Sequence, residues 1–172
     1  MPTDTVYGIV TKARDKKAVE RLYRIRRKTP KKPFIILIDS VARLKEFGVR
    51  ATPAQIVFLK KVWPGKVSVI LPCPLGKLAY LHLGTKALAF RLPRGRQLFA
   101  LIKKVGPLVA PSANPEGKAP AETIGQAREY FGEAVDIYVH ASRKVDKKPS
   151  TLVSLLGAEP KVLRVGSVAV KI

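Results

Sequence analysis

Short apolar runs alternate with amphipathic stretches along this chain, and that alternation leaves few architectures open. Phe34-Ile35-Ile36-Leu37-Ile38, introduced by Pro33, reads as a buried strand, as do Val67 to Leu71 and Ala87 to Leu92, which ends at Pro93. Pro107 to Ala110, Ile137 to His140, Leu152 to Leu155 and Val162 to Val165 complete the predicted strands. Between them, Asp15 to Arg27 predicts a helix with Val19, Leu22 and Tyr23 on one face and basic residues around the rest. Ser40 to Phe47 predicts a short helix, and Thr52-Pro53 starts another that runs to about Val62, with Thr52 as N-cap and proline at the first helical position. Gln97 to Lys104 and Glu122 to Phe131 are the last two helices. Strands and helices mixed at this spacing predict an α/β fold with a mixed sheet. No repeat or low-complexity linker divides the 172 residues, so one domain over 1–172 is expected.

Charge narrows the choice of partner. Lysine and arginine number 33 against 12 acidic residues, a formal net charge of +21. Such an excess favours nucleic acid, nucleotide phosphates or an anionic membrane face, although a generally basic proteome gives the same bias with no specific ligand. Eleven basic residues and two acidic ones lie between Lys12 and Lys32. The start is polar and no apolar run is long enough to span a bilayer, so no membrane partner is expected. The single Cys73 excludes an internal disulfide and suits a reducing compartment, and a cytoplasmic protein is expected.

Several segments carry residue types that chemistry needs. Pro2-Thr3-Asp4-Thr5-Val6-Tyr7-Gly8-Ile9 sets short polar groups beside a glycine where a backbone bends or approaches a ligand; an Asx-type turn is the plainer reading. Arg26-Arg27-Lys28-Thr29-Pro30-Lys31-Lys32-Pro33 is a basic loop stiffened by two prolines, suited to nucleotide phosphates or else a solvated loop. Arg91 ends an apolar strand and needs an anion, either a ligand carboxylate or an internal Asp or Glu. Ala110-Pro111-Ser112-Ala113-Asn114 follows a strand and reads as an anion nest or an ordinary turn. Pro149-Ser150-Thr151 puts hydroxyls at the head of a strand, before Leu163-Arg164-Val165-Gly166. His82 and His140 are not spaced as a metal pair, and both read as structural.

Taken in order, these segments, with Trp63-Pro64-Gly65 among them, resemble the threonylcarbamoyl-AMP synthase family over essentially the whole chain. The resemblance implies a YrdC-like α/β fold in its short form: a twisted mixed sheet flanked by helices around a concave basic cleft. It implies synthesis of threonylcarbamoyl-AMP and pyrophosphate from L-threonine, bicarbonate and ATP, for tRNA modification. Carried over by position, Thr5, Tyr7, Arg91, Ala110 and Ser150 would bind threonine. Lys28, Lys32, Ser112, Asn114 and Arg164 would surround the ATP, with Lys28 and Arg91 closest to the chemistry. Magnesium would arrive with the ATP phosphates, with no metal site in the protein and no tightly bound organic cofactor. Further expected partners are tRNA or double-stranded RNA and the complex that transfers the threonylcarbamoyl group.

Three departures stand out. Relatives carry a further strand before the Pro-Thr segment, where Met1 precedes Pro2 here; Arg26-Arg27-Lys28 reverses the usual Lys-x-Arg; and Ser154 stands where an acidic residue is frequent. A basic YrdC-like RNA-binding protein without synthase activity is the competing reading from the charge, and aromatics at 7% leave it few bases to stack. A carbamoyl-adenylate enzyme of hydrogenase maturation would normally sit inside a much larger chain.

Overall fold

The computed structural model describes residues 1–26, 33–140 and 148–171. Its elements are β1 (Thr11–Lys12), α1 (Lys16–Ile25), β2 (Ile35–Leu37), a 3₁₀ helix (Val41–Phe47), α2 (Pro53–Val62), β3 (Val67–Pro72), α3 (Ala79–His82), β4 (Ala87–Arg91), α4 (Arg96–Val105), β5 (Leu108–Val109), α5 (Ile124–Phe131), β6 (Thr151–Ser154) and β7 (Lys161–Arg164). The strands form one sheet in the order β1-β5-β2-β4-β3-β6-β7. β2 runs parallel to β4 and β3 parallel to β6, while the other neighbours are antiparallel, which is the mixed α/β sheet the alternation predicts.

Local sequence explains the helix starts. Asp15 caps α1 by accepting from the Ala18 N–H at 3.0 Å. Thr52 and Gln55 form a reciprocal capping box on α2, with Pro53 where its missing N–H costs nothing. Gln55 Nε2 also donates to Leu155 O at 2.9 Å, fastening α2 to the end of β6.

Period-2 alternation then sorts the sheet's two faces. Ile36, Val69, Phe90, Val109 and Val153 point into the main core with Leu22, Phe47, Phe58 and Leu59. Phe90 and Phe47 are fully buried and meet edge to face at 5.2 Å, each contributing about 2–3 kcal/mol by burial. On the opposite face Leu37 and Leu108 lie under Leu98 and Ile102 of α4. That face also carries Arg91, paired in register with Leu37, together with Ser68 from β3. The sheet thus has one apolar face and one whose covering changes from aliphatic to polar at the carboxyl end of β4.

Several expectations change. Ile137 to His140 is not a strand: Ile137 is 75% exposed, and Tyr138 instead turns its hydroxyl back to Gly132 O at 2.7 Å. Among the described residues this segment pairs with no strand, so its β-branched alternation stays at the surface. The short helix expected over Ser40 to Phe47 is present as a 3₁₀ helix, Val41–Phe47, closed by Gly48 at φ 69°. The two-residue β1 and the short α3 carry too little periodicity to be read from sequence. Among the described residues no helix is long and apolar enough to cross a membrane. His82 is buried, its Nε2 3.3 Å from Leu75 O, in a structural setting.

Candidate active site

The Pro2–Gly8 segment folds into a tight hairpin. Met1 N donates to Gly8 O at 2.8 Å, Gly8 N donates back to Met1 O at 2.9 Å, and Pro2 bridges Tyr7. Thr3 Oγ1 donates to Val6 O at 2.6 Å and accepts from the Thr5 N–H at 3.3 Å, an ST-turn that locks the loop. A side chain at Gly8 would put Cβ 2.9 Å from Thr3 Cγ2 and 3.2 Å from Pro111 O, so only glycine admits this approach.

The hairpin lays Asp4 and Thr5 against Arg91 at the end of β4. Arg91 donates through one terminal nitrogen to Thr5 Oγ1 at 3.2 Å, and its other terminal nitrogen lies 2.9 Å from Asp4 Oδ1. The side chains of Arg91 and Asp4 are 4% and 6% exposed. Of the two anions that the sequence leaves open for Arg91, the internal acid is present. The contact is nevertheless incomplete. Neither Asp4 oxygen has a hydrogen-bond donor and Arg91 Nε has no acceptor, so the charges touch without aligned N–H···O geometry. Burial pulls the Arg91 guanidinium below its ordinary pKa, Asp4 pushes it back up, and the positive charge of Arg164 lowers it again.

Ser150, at the head of β6, shares a hydrogen bond of 2.8 Å with Ser68 Oγ, both side chains being buried. The Ser150 carbonyl accepts from Arg164 Nε and its terminal nitrogen at 3.3 and 2.9 Å. Burial lowers the Arg164 pKa as well. Gly166 makes this possible, since a Cβ there would sit 2.2 Å from Pro149 O and 2.4 Å from the Ser150 carbonyl carbon. Its N–H donates to Thr151 Oγ1 at 2.9 Å, and that hydroxyl donates in turn to Val168 O.

The Pro111–Asn114 turn is strapped to the hairpin: Ile9 N donates to Pro111 O at 3.1 Å, Ala113 N to Tyr7 O at 2.8 Å, and Gly8 bridges Ser112. Ser112 Oγ, half-buried, donates to Asn114 Oδ1 at 2.6 Å. Asn114 Nδ2 serves Pro115 O at 2.9 Å and Lys118 O at 2.7 Å. The Ala113 and Asn114 N–H groups are engaged with Tyr7 O and Ser112 O, so the turn does not present them as an anion nest. Asn114 shapes this loop, and Ser112 stands at its rim. The Ala110 N–H is likewise committed, to Ile35 O at 3.0 Å, and Tyr7 is buried among Ala113, Ala121, Ala127 and Phe131.

Arg26, Ser68 and Asp4 are residues around the site that the sequence assignment leaves out, and Arg26 is the least legible of them. Arg26 donates from Nε to Asn114 O at 2.8 Å and from a terminal nitrogen to Asn114 Oδ1 at 3.1 Å, and its guanidinium lies 5.4 Å from the Phe34 ring centroid. Being 5% exposed, it is a tie between α1 and the Ser112 turn rather than a free cation. Its sequence signal was only that it opens the basic loop. Ser68 was legible as a lone polar residue in an apolar strand, and Asp4 as the one acid in the hairpin. Lys28 and Lys32 lie outside the described residues.

Thr5, Arg91, Ser150 and Arg164 thus converge at one end of the sheet, with Ser112 on a turn bound to the same hairpin. The family model for Sua5/YciO/YrdC, described as "Telomere recombination", matches residues 1–166. The chain belongs to the Sua5/YciO/YrdC family. Within that family, the threonylcarbamoyl-AMP synthase of Thiobacillus denitrificans is 32% identical over 164 residues, covering 95% of this chain and 86% of its own. The crystal structure of Pyrococcus abyssi Sua5 complexed with L-threonine matches with a TM-score of 0.86 at 28% identity, over 96% of this chain and 49% of that one. This chain therefore spans about half the length of that Sua5 protein. Escherichia coli YciO also matches at a TM-score of 0.86, at 25% identity, over 99% of this chain and 83% of its own.

Proposed function

We propose that this chain is an L-threonylcarbamoyladenylate synthase, a nucleotidyltransferase that converts L-threonine, bicarbonate and ATP to threonylcarbamoyl-AMP and pyrophosphate. The observation that carries this reading is the buried Arg91 guanidinium with an unused Nε donor, held against Thr5 and one strand away from Ser150 and β6 in a Sua5/YciO/YrdC fold. A guanidinium in that state suits a ligand carboxylate. Threonine carbamate attacks the α-phosphorus and pyrophosphate leaves, so no enzymic nucleophile is needed. Catalysis then rests on alignment and on neutralising the charge that builds on phosphate.

Arg91, Thr5 and Ser150 hold threonine, with Tyr7 packed behind the hairpin and the Ala110 carbonyl closing the pocket. Arg164 and Ser112 face the nucleotide, Asn114 sets the Ser112 turn, and Lys28 and Lys32 supply further phosphate charge. Magnesium comes with ATP. Among the described residues no group of three or more His, Cys, Asp or Glu side chains gathers to hold a metal, so phosphate oxygens and water would supply its ligands. Purified protein with ATP, magnesium, bicarbonate and L-threonine is expected to release pyrophosphate only when threonine is present. Folded protein that releases none, or releases it equally without threonine, would sink this reading.

The cytoplasmic tRNA pool and the threonylcarbamoyl-transfer complex are the partners we assign. Between Glu46 and Glu116 there is no acidic residue and there are eleven basic ones. Exposed among them are Arg50, Lys60, Lys61, Lys77, Lys86, Arg94, Arg96, Lys103 and Lys104, carried on both sides of the sheet, a one-signed charge suited to tRNA or double-stranded RNA. RNA binding is expected to weaken by roughly 100-fold or more between 50 and 200 mM salt if five or more phosphates are neutralised. Binding that is absent, or indifferent to salt, would remove RNA from the list of partners.

A further inference from the structure

The Asp4–Arg91 pair has a feature that carboxylate recognition alone leaves unused. Both charges are more than nine-tenths buried, and the unmet hydrogen-bonding capacity is of opposite sense on the two partners. Arg91 Nε lacks an acceptor, and both Asp4 oxygens lack a donor. A bare carboxylate ligand answers the first deficit and aggravates the second, because it sets two anions on one guanidinium. A ligand carrying an anion and a cation one carbon apart answers both. It also leaves the local charge balance unchanged.

We infer that Asp4 is the ammonium-binding residue of the amino-acid pocket: the substrate α-carboxylate takes Arg91 and its α-ammonium takes Asp4. This rests on the reading of the site as a threonine pocket and assigns it a residue that the sequence motif alone did not. The unmatched groups set the orientation, carboxylate at Arg91 Nε and ammonium at the Asp4 oxygens, and the nearby positive charge of Arg164 favours the same sense. Since the pair is in direct contact at 2.9 Å, an entering amino acid parts Asp4 from Arg91 and replaces one poorly aligned contact with two ligand-mediated ones. Conversion of the amine to a carbamate removes the positive charge that Asp4 holds, so the site favours free threonine over its carbamoylated form at the Asp4 end.

The test compares L-threonine with 3-hydroxybutyrate, the same skeleton without the amine, by calorimetry on the whole chain. The wild-type protein is expected to bind threonine at least about 30-fold more tightly, and Asp4→Asn is expected to erase that preference while binding 3-hydroxybutyrate as well as before or better. Asp4→Glu keeps the charge and is expected to keep the preference. Equal affinities in the wild type overturn the inference without any variant, even if Asp4→Asn fails to fold. An undiminished preference in folded Asp4→Asn overturns it too, and the synthase reading then stands if pyrophosphate is still released with threonine. If threonine neither binds nor turns over, the synthase reading fails. The inference survives that result only if another α-amino acid shows the same Asp4-dependent preference over its deaminated acid, and falls if none does.

Discussion

Arg91→Ala is expected to lower threonine-dependent pyrophosphate release by at least about 100-fold, because it removes one member of a buried charge pair together with the donor assigned to the substrate carboxylate. The same change strands Asp4 in the interior without its counter-charge, at a cost of about 3–5 kcal/mol in stability. In a chain of this size that is a fall of roughly 10 °C in melting temperature. The two effects are separated by Arg91→Lys, which keeps the positive charge but loses the planar fork and the Nε position. That variant is expected to melt close to the wild type and still to lose most threonine-dependent release. Pyrophosphate assays with and without threonine, alongside thermal melts of each variant, make the comparison. Full threonine dependence in folded Arg91→Ala protein would refute the carboxylate assignment.

Gly166→Ala is the second large effect. The added Cβ would lie 2.2 Å from Pro149 O, 2.4 Å from the Ser150 carbonyl carbon and 2.5 Å from Thr151 N. All three are main-chain atoms, so no side-chain rotation relieves the clash and the segment after β7 has to move off the head of β6. The cost is about 3 kcal/mol or more, at the upper end for overpacking. Displacement of that segment also pulls Arg164 from the Ser150 carbonyl, and the KM values for threonine and ATP are expected to rise together. Gly76→Ala is the control, since a Cβ there meets nothing within 4 Å; it is expected to change stability by no more than about 0.5 kcal/mol. A Gly166→Ala protein that melts and works like Gly76→Ala would show that the close approach is not needed.

The fold was readable wherever a residue type has one local meaning. Thr52-Pro53 marked the start of α2, and apolar runs bounded by proline marked β2 and β4. Ile137 to His140 misled because alternation records only which faces differ, and a strand also needs an edge to pair with. The site was readable as a set of segments in order, and Arg91 as a cation in need of an anion. Which anion was not readable, since Asp4 lies 87 positions away and any buried acid satisfies the same rule. Arg26 was hidden for the same reason: its partner Asn114 is 88 positions distant, and nothing in a run of basic residues singles out the one that turns inward. The Ser112–Asn114 turn had the right composition for an anion site, yet its Ala113 N–H is spent on Tyr7 O of the hairpin, a cost visible only once the two segments meet, and its Asn114 N–H on Ser112 O within the turn.

That meeting has a kinetic reading. The hairpin that carries Thr5 and the turn that carries Ser112 are joined main chain to main chain by Ile9 to Pro111, Ala113 to Tyr7, and the Gly8–Ser112 bridge. No flexible side chain intervenes, so neither segment shifts without the other. On the proposed assignment, amino-acid and nucleotide contacts belong to a single mechanical element, and lesions in it are expected not to sort by substrate. A change confined to the hairpin is expected to read out in the apparent affinity for ATP as surely as in that for threonine, so that pairs of kinetic constants, not single ones, report on its integrity.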